Sequence, residues 1–473
     1  MWLLSVLDLG GGPPARFVGP EALPPKQPIP MPTIAVLSPH RHPRLRYVLR
    51  EVGRELGWTF RLLTDADKWA EAKEPAKISF REKTGGVTPC VENTSNALLR
   101  GGHPSPEDLA VVPTSSGLPA FFYGENGRPD YLACIFFVLS RYEEYQPFEP
   151  DEHGRFSAGQ SHARRNGYLH RPVVREWAAA FAAEIRAVFP DLPAPVYPDF
   201  VFRPTYDIDL LWAWRYRGLR GVAAGLRDVL TGHPRRAVQR FTAGAKNDPY
   251  QALPSLEALH RRARLSPIYF WLLADGADRR DPNPYPIPAK QVTIMRELAE
   301  RYTAGIHPGY LAVDQPERFS VEAERLTEIL GKSTRHSRQH FLRLRFPDTY
   351  RELRHAGITH DHTMGYADAI GWRAGTNRAF FWYDLEREEQ TSLLVHPFAA
   401  MDVTLKNYLK LTPGEAKTEV LKLAHDLQSL GGEFQLLWHN SSFSAAYGWA
   451  GWWKMYEEMV EELGATTALT PSS

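Results

Sequence analysis

The feature that most constrains this chain is an alternation of helical and strand-like runs after residue 250, in which the strand-like runs stop at polar side chains. "LPSLEALHRRARL" reads as a helix and "IYFWLLA" as a strand. "AKQVTIMRELAERY" places Val292, Met295, Leu298, Ala299 and Tyr302 on one helical face and is followed by "AGIHPG". "VEAERLTEIL" precedes "RQHFLRLRF", and "TYRELRHAG" precedes "ITHDHT". Thr412, Pro413 and Glu415 predict a capping box with proline at the first helical position. That helix should run to Gly431–Gly432 and lead into the strand "EFQLLWHN". Repeated strand–helix pairs require parallel strands, so this part of the chain should form a parallel sheet or barrel with its chemistry at the strand C-termini.

Upstream the pattern is mixed. "TIAVLS" and "WTFRLLT" read as strands around an amphipathic helix, "RLRYVLREVGRELG", that Gly57 should end. "DYLACIFFVLSRYEEY" and "REWAAAFAAEIRAVFP" read as helices packed in a core. The proline-rich "PDLPAPVYPD" is the best domain boundary, giving an N-terminal α/β domain at 31–195 and a second domain at 196–473. Residues 1–30 are rich in Pro and Gly and are expected to be a disordered extension, with Met31 opening the folded part.

Composition removes several classes of function. The 473 residues carry 56 basic and 55 acidic side chains, a net charge of +1, so no long-range field of the whole chain should recruit nucleic acid or an anionic membrane. No stretch approaches the ~20 apolar residues of a membrane span. Cys90 and Cys134 are the only cysteines, which excludes a disulfide framework and a thiolate metal site and suits a reducing cytoplasm. The N-terminus lacks a basic segment before its apolar run and makes a poor signal peptide.

The sharpest local puzzle is "RPTYDIDLLW". In extended chain, residues two apart share a face, so Thr205, Asp207 and Asp209 should point together. Two carboxylates aimed at one spot need a cation, a shared proton or water. His307, Arg338, His340, Asp361, Arg373 and His439 also lie where strand-like runs end. Taken one at a time, such residues are more often satisfied core histidines or structural ion-pair partners. His40 and His42 lie in a loop with basic neighbours and are expected to be solvated surface. Thirteen tryptophans, several of them in "WHNSSFSAAYGWAGWW", should be mostly core, and a few rimming a cleft would suit the stacking of sugar rings.

In order along the chain, "TYDID", "GIHPGY", "RQHFLRLRFP", "HDHTMGYADAIGWRAGT" and "LLWHNSSF" resemble the motifs of NodB-homology polysaccharide deacetylases, carbohydrate esterase family 4. The closest likeness is to a divergent bacterial branch with an extra N-terminal domain, which "FFVLSRYEEY" and "DEHGRF" resemble. The resemblance implies an α/β fold: a distorted (β/α) barrel preceded by the N-terminal α/β domain. It also implies a divalent metal, with zinc the expected ion, and a carbohydrate substrate. By the same likeness Asp207 is the general base, Asp209 and His307 are metal ligands, and Arg338 orients the base. Asp361 tunes the catalytic His439, and Arg373 completes the catalytic set. The chain departs from the family where a second histidine should stand four residues after His307, because that position is Leu311. His340, His360 or His362 could substitute, and nothing in the sequence chooses among them.

The implied reaction is metal-dependent hydrolysis of an N-acetyl or O-acetyl group on a sugar of a polysaccharide or its precursor. Water activated by metal and Asp207 attacks, and His439 protonates the leaving amine. A cytoplasmic location favours a precursor or lipid-linked saccharide. Two rivals stand beside it: a carbohydrate-binding pseudo-deacetylase that lost its metal, and a glycoside hydrolase using two carboxylates across a cleft.

Overall fold

The computed structural model describes residues 31–80, 91–92, 97–124, 127–244 and 247–468. The expected extension at 1–30 and Cys90 lie outside the described residues.

Near the N-terminus, β1 (Thr33–Leu37), β2 (Thr59–Leu63), β3 (Ala76–Ser79) and β4 (Val91–Glu92) form a parallel sheet in the order β2-β1-β3-β4. The helix Pro43–Leu56 crosses between β1 and β2 and buries Leu45, Val48, Val52 and Leu56. It stops at Gly57, whose φ of 67° suits a residue without a Cβ. His42 is not a loose surface residue, because its ring accepts the Arg44 N–H and caps this helix. A short hairpin, β5 (Val112–Pro113) and β6 (Pro119–Ala120), follows. The helices Tyr131–Leu139 and Val173–Val188 then pack in the same core. "DYLACIFFVLSRYEEY" does not stay helical to its end. Arg141 adopts a left-handed φ of 54°, and a 3-10 turn, Tyr142–Tyr145, takes over.

The rest of the chain builds a nine-stranded sheet from β7 (Phe200–Ile208), β8 (Ile268–Leu272), β9 (Thr303–His307), β10 (His336–Ser337), β11 (His360–Asp361), β12 (Phe380–Asp384), β13 (Glu389–Val395), β14 (Ala400–Met401) and β15 (Gly432–His439). Their order is β12-β13-β11-β10-β9-β8-β7-β15-β14, and every neighbouring pair is parallel except β12 and β13. The predicted helices intervene at Leu253–Ala263, Ala289–Ala299, Pro316–Leu330, Asp348–His355 and Pro413–Gln428. The capping box at Thr412 and Glu415 forms as its sequence dictates. The fold is therefore α/β with a large, mainly parallel sheet. Among the described residues no ladder joins β12 to β14.

Two elements break the alternation. β12 and β13 pair as an antiparallel hairpin, and two helices, Gly218–Leu230 and Pro234–Thr242, are inserted between β7 and β8. "RQHFLRLRF" begins at the residue after β10 ends and forms no strand, entering instead a turn in which Phe341 and Leu342 have φ of 57° and 56°.

From Pro32 onward the described residues pack as one compact unit around a shared apolar core. Arg44 bonds Glu388 through Nε at 3.0 Å, and the Tyr47 hydroxyl donates to the Phe381 carbonyl at 2.8 Å. Among the described residues no helix is long and apolar enough to cross a membrane.

Candidate metal centre

Parallel register brings the strand ends level. His439 lies opposite Asp207 across β15 and β7, and His307 lies opposite Leu272 across β9 and β8. Thr205 and Asp207 share the face that their spacing predicts. Arg338 Nη1 donates to both, at 2.7 Å to the threonine hydroxyl and 3.0 Å to Asp207 Oδ1. Asp209 follows the last residue of β7, and its Oδ1 lies 3.3 Å from His307 Nε2. Asp207 Oδ2 is 3.7 Å from the same nitrogen. The two carboxylates thus approach one imidazole, as the opening of the motif suggested.

His307 is fixed by its other nitrogen. Nδ1 is 2.6 Å from the Arg338 carbonyl, which can only accept, so Nδ1 carries the proton and Nε2 faces the carboxylates. His340 repeats this pattern in a turn after β10. Its Nδ1 is 3.0 Å from Asp281 Oδ1, and its Nε2 is 3.9 Å from Asp209 Oδ1. Asp281 is buried and is itself held by the Tyr310 N–H at 2.9 Å. Asp209, His307 and His340 each present one ligand atom, all within 4.8 Å of one another. Asp209 Oδ1 and His307 Nε2 are also buried without a hydrogen-bond partner. Buried polar atoms are seldom left unpaired, so a carboxylate oxygen and an imidazole nitrogen converging in this way fit a divalent cation. Carboxyl and carbonyl groups behind the two imidazoles are the outer support that metal-bound histidines generally have.

Charge in the cluster follows from these contacts. Burial opposes ionisation of Asp209, but the adjoining His307 and the nearby His340 and His439 outweigh it and hold the carboxyl well below its usual range. Burial likewise works against a proton on His307, and Asp207 and Asp209 overcome it, so its pKa is raised. For His439, burial is outweighed by Asp402 and Asp209, and the pKa is pushed up to about 10. The carboxylates therefore draw positive charge inward.

Asp402 is the residue that sequence reasoning missed. It lies directly after β14, and its Oδ1 is 2.8 Å from His439 Nδ1 while its Oδ2 accepts the His439 N–H at 2.7 Å. Asp361, expected behind His439, is elsewhere: it accepts the Tyr350 hydroxyl at 2.9 Å and the Thr363 hydroxyl and N–H at 2.7 and 3.0 Å. A strand-like run ending on an acid, "FAAMD", was the available signal. Asp281, in the charged loop "DRRDPNPY", gave none.

Arg373 is also drawn away. It forms a buried ion pair with Glu144, Nε to Oε1 at 2.9 Å, and joins the C-terminal region to the N-terminal one. Of the candidate substitutes for the missing histidine, only His340 joins the cluster; His360 and His362 belong to a different group with His336 and His396. Leu311 sits in the 3-10 turn Tyr310–Val313. The tryptophans suggested as a cleft rim are largely core, since Trp438, Trp449 and Trp452 are buried. Tyr250 is close enough to sense the Asp209 charge, and its ring lies 5.2 Å from Tyr447.

A protein-family model described as a family of unknown function (DUF7033) matches residues 34–190, less than half of the chain. No curated protein matches. Among solved structures, a "putative polysaccharide deacetylase from Mycobacterium smegmatis" is similar over 57% of this chain and 86% of that chain, at 14% identity and a TM-score of 0.37. The case for the site rests on its own geometry.

Proposed function

We propose that the chain is a metal-dependent hydrolase that removes acetyl groups from a carbohydrate, on a distorted (β/α) barrel spanning about 196–473 behind an N-terminal α/β domain. The observation that carries this reading is the orphaned pair, Asp209 Oδ1 and His307 Nε2, beside His340. Asp209, His307 and His340 would hold a divalent ion such as zinc. Such an ion supplies Lewis acidity and lowers the pKa of a bound water.

The chain's own groups do the remaining work. Asp207, oriented by Arg338, takes a proton from the attacking water. His439, kept protonated by Asp402, donates to the departing amine or alkoxide. Asp281 and the Arg338 carbonyl fix the tautomers of His340 and His307. Tyr250 and Tyr447 offer rings against which a sugar can lie.

Asp207 and Asp209 both face one histidine nitrogen, which favours this arrangement over a glycoside hydrolase, whose carboxylates flank the scissile bond. The test is zinc content of the purified chain together with acetate release from N-acetylated oligosaccharides. Stoichiometric metal with chelator-sensitive acetate release is expected. Metal-free protein that binds oligosaccharide regardless of chelator would establish the pseudoenzyme instead.

A further inference from the structure

The helical insertion between β7 and β8 faces the wrong way for a helix in water. On Gly218–Leu230, the residues Leu219, Val222, Leu226, Val229 and Leu230 recur at helical spacing and so form one stripe. A surface helix ordinarily turns such a stripe toward the protein. Here the stripe is outward, with Leu219 88% and Leu230 77% exposed. Val238 and Phe241 of the second helix, Pro234–Thr242, are exposed beside it.

The contact between the two helices explains the orientation. Gly225 lets the Phe241 ring approach so closely that a Cβ there would come within 2.6 Å of it. The buried Asp228 carboxylate is clamped by Arg240 at 2.7 Å and Arg236 at 3.1 Å. The polar clamp holds the two helices together and leaves the leucines and valines outside. Charge then discriminates between occupants. From Arg215 to Arg240 the sequence carries seven arginines and one aspartate, a net of +6, in a chain whose total is +1. A second copy of this face would set arginine against arginine. An anionic lipid surface would accept the apolar stripe at its acyl boundary and exposed guanidinium groups such as Arg227 and Arg235 among its phosphates.

We propose that the helical hairpin Gly218–Thr242 docks the protein on an anionic lipid membrane. The hairpin is firmly seated at its base, because Asp248 accepts the Ala213 and Trp214 N–H groups at 2.7 and 2.9 Å. It leaves the fold from the strand end that carries Asp207 and Asp209. A substrate saccharide carried on a lipid would follow from this placement; that extension rests on the deacetylase reading, and the docking does not.

The test is co-sedimentation of the full chain with phosphatidylcholine vesicles, with and without phosphatidylglycerol. Binding is expected only to the anionic vesicles and should weaken as salt is raised. The exposed double variants Leu226→Glu/Leu230→Glu and Arg227→Glu/Arg235→Glu should each lose about ten-fold or more in binding, with unchanged thermal unfolding. No binding by the parent chain, or binding by either variant equal to the parent's, overturns the proposal. Sedimentation equilibrium supplies the remaining outcome: a dimer that Leu226→Glu/Leu230→Glu dissociates would make the face a contact between copies and overturn lipid docking. Metal content is read on the same samples, so failure of the chemistry and failure of docking are separate results.

Discussion

Two histidine clusters lie along the same sheet, and they differ in almost every physical respect. At the carboxyl ends of the strands, His307, His340 and His439 each face a carboxylate: Asp209, Asp281 and Asp402. A second group, His336, His360, His362 and His396, lies on or directly after β10, β11 and β13, and its members face mainly one another. Their rings stack in pairs at 4.4 and 4.3 Å, and ring nitrogens meet at 3.0 and 2.9 Å between His336 and His362 and between His360 and His396. A nitrogen–nitrogen hydrogen bond needs one bare nitrogen, so at least one ring of each bonded pair is neutral. Burial first, then the neighbouring imidazoles, push His336 down to about 3 and His362 far below its usual value. Carboxylate neighbours make a histidine cluster attract cations; imidazole neighbours make it repel them.

The largest expected effect breaks the first cluster directly. Asp209→Asn, His307→Ala and His340→Ala should each abolish stoichiometric metal, measured by mass spectrometry of the purified protein, while His360→Ala leaves it intact. Equal metal in the His340 and His360 variants would erase the distinction between the clusters. Next in size, His439→Ala should lower kcat by ~10²–10⁴-fold, the usual worth of a general acid, with metal retained. Asp402→Asn should act in the same direction and bring the alkaline limb of the kcat profile to lower pH, since Asp402 is the main source of the raised His439 pKa. Asp281→Asn should weaken metal affinity by only ~10–100-fold, the scale of an outer-shell change, as read by competition with a chromophoric chelator.

A last measurement compares the clusters by stability in metal-free protein, one pH unit at a time. His336 titrates at about 3 when folded and near 6.5 when unfolded. Its contribution is thus present above 6.5 and lost as pH falls toward 3, at about 1.4 kcal/mol per pH unit. His439, raised to about 10, contributes oppositely: its stabilisation is full below 6.5 and is lost as pH rises toward 10. Denaturant unfolding across pH should show the acid loss reduced in His336→Gln and the alkaline loss reduced in His439→Gln.

Much of the fold was legible because it depends on local pattern. The capping box, the glycine stop after Leu56 and the buried run of β15 are each decided by a few adjacent residues. The shared face of Thr205 and Asp207 was legible for the same reason, since a strand's period alone decides it. What failed was pairing over distance. Asp361 and Asp402 both follow or end short strand-like runs, and only the placement of β14 beside β15 decides that Asp402 meets His439. His340, His360 and His362 were equal candidates in sequence because nothing local separates a turn after β10 from the ladder of β11. Arg373 looked catalytic by position in a motif, yet its partner Glu144 is 229 residues away.

The turn that delivers His340 is upheld from outside the site. Phe341 and Leu342 hold left-handed backbone angles that cost bulky residues on the order of 1–3 kcal/mol each. The Phe341 carbonyl accepts Arg155 Nη1 at 3.0 Å, the His153 ring lies 4.6 Å from the Phe341 ring, and Arg343 Nε returns to the His153 carbonyl at 2.8 Å. Residues 153–155 thus act as a splint on a bent spring. A fragment beginning at residue 196 would keep every ligand and lose the splint, and the turn would relax and carry His340 away from Asp209. Residues 153–155 therefore reach the metal site without touching it, through the backbone of the turn that carries His340.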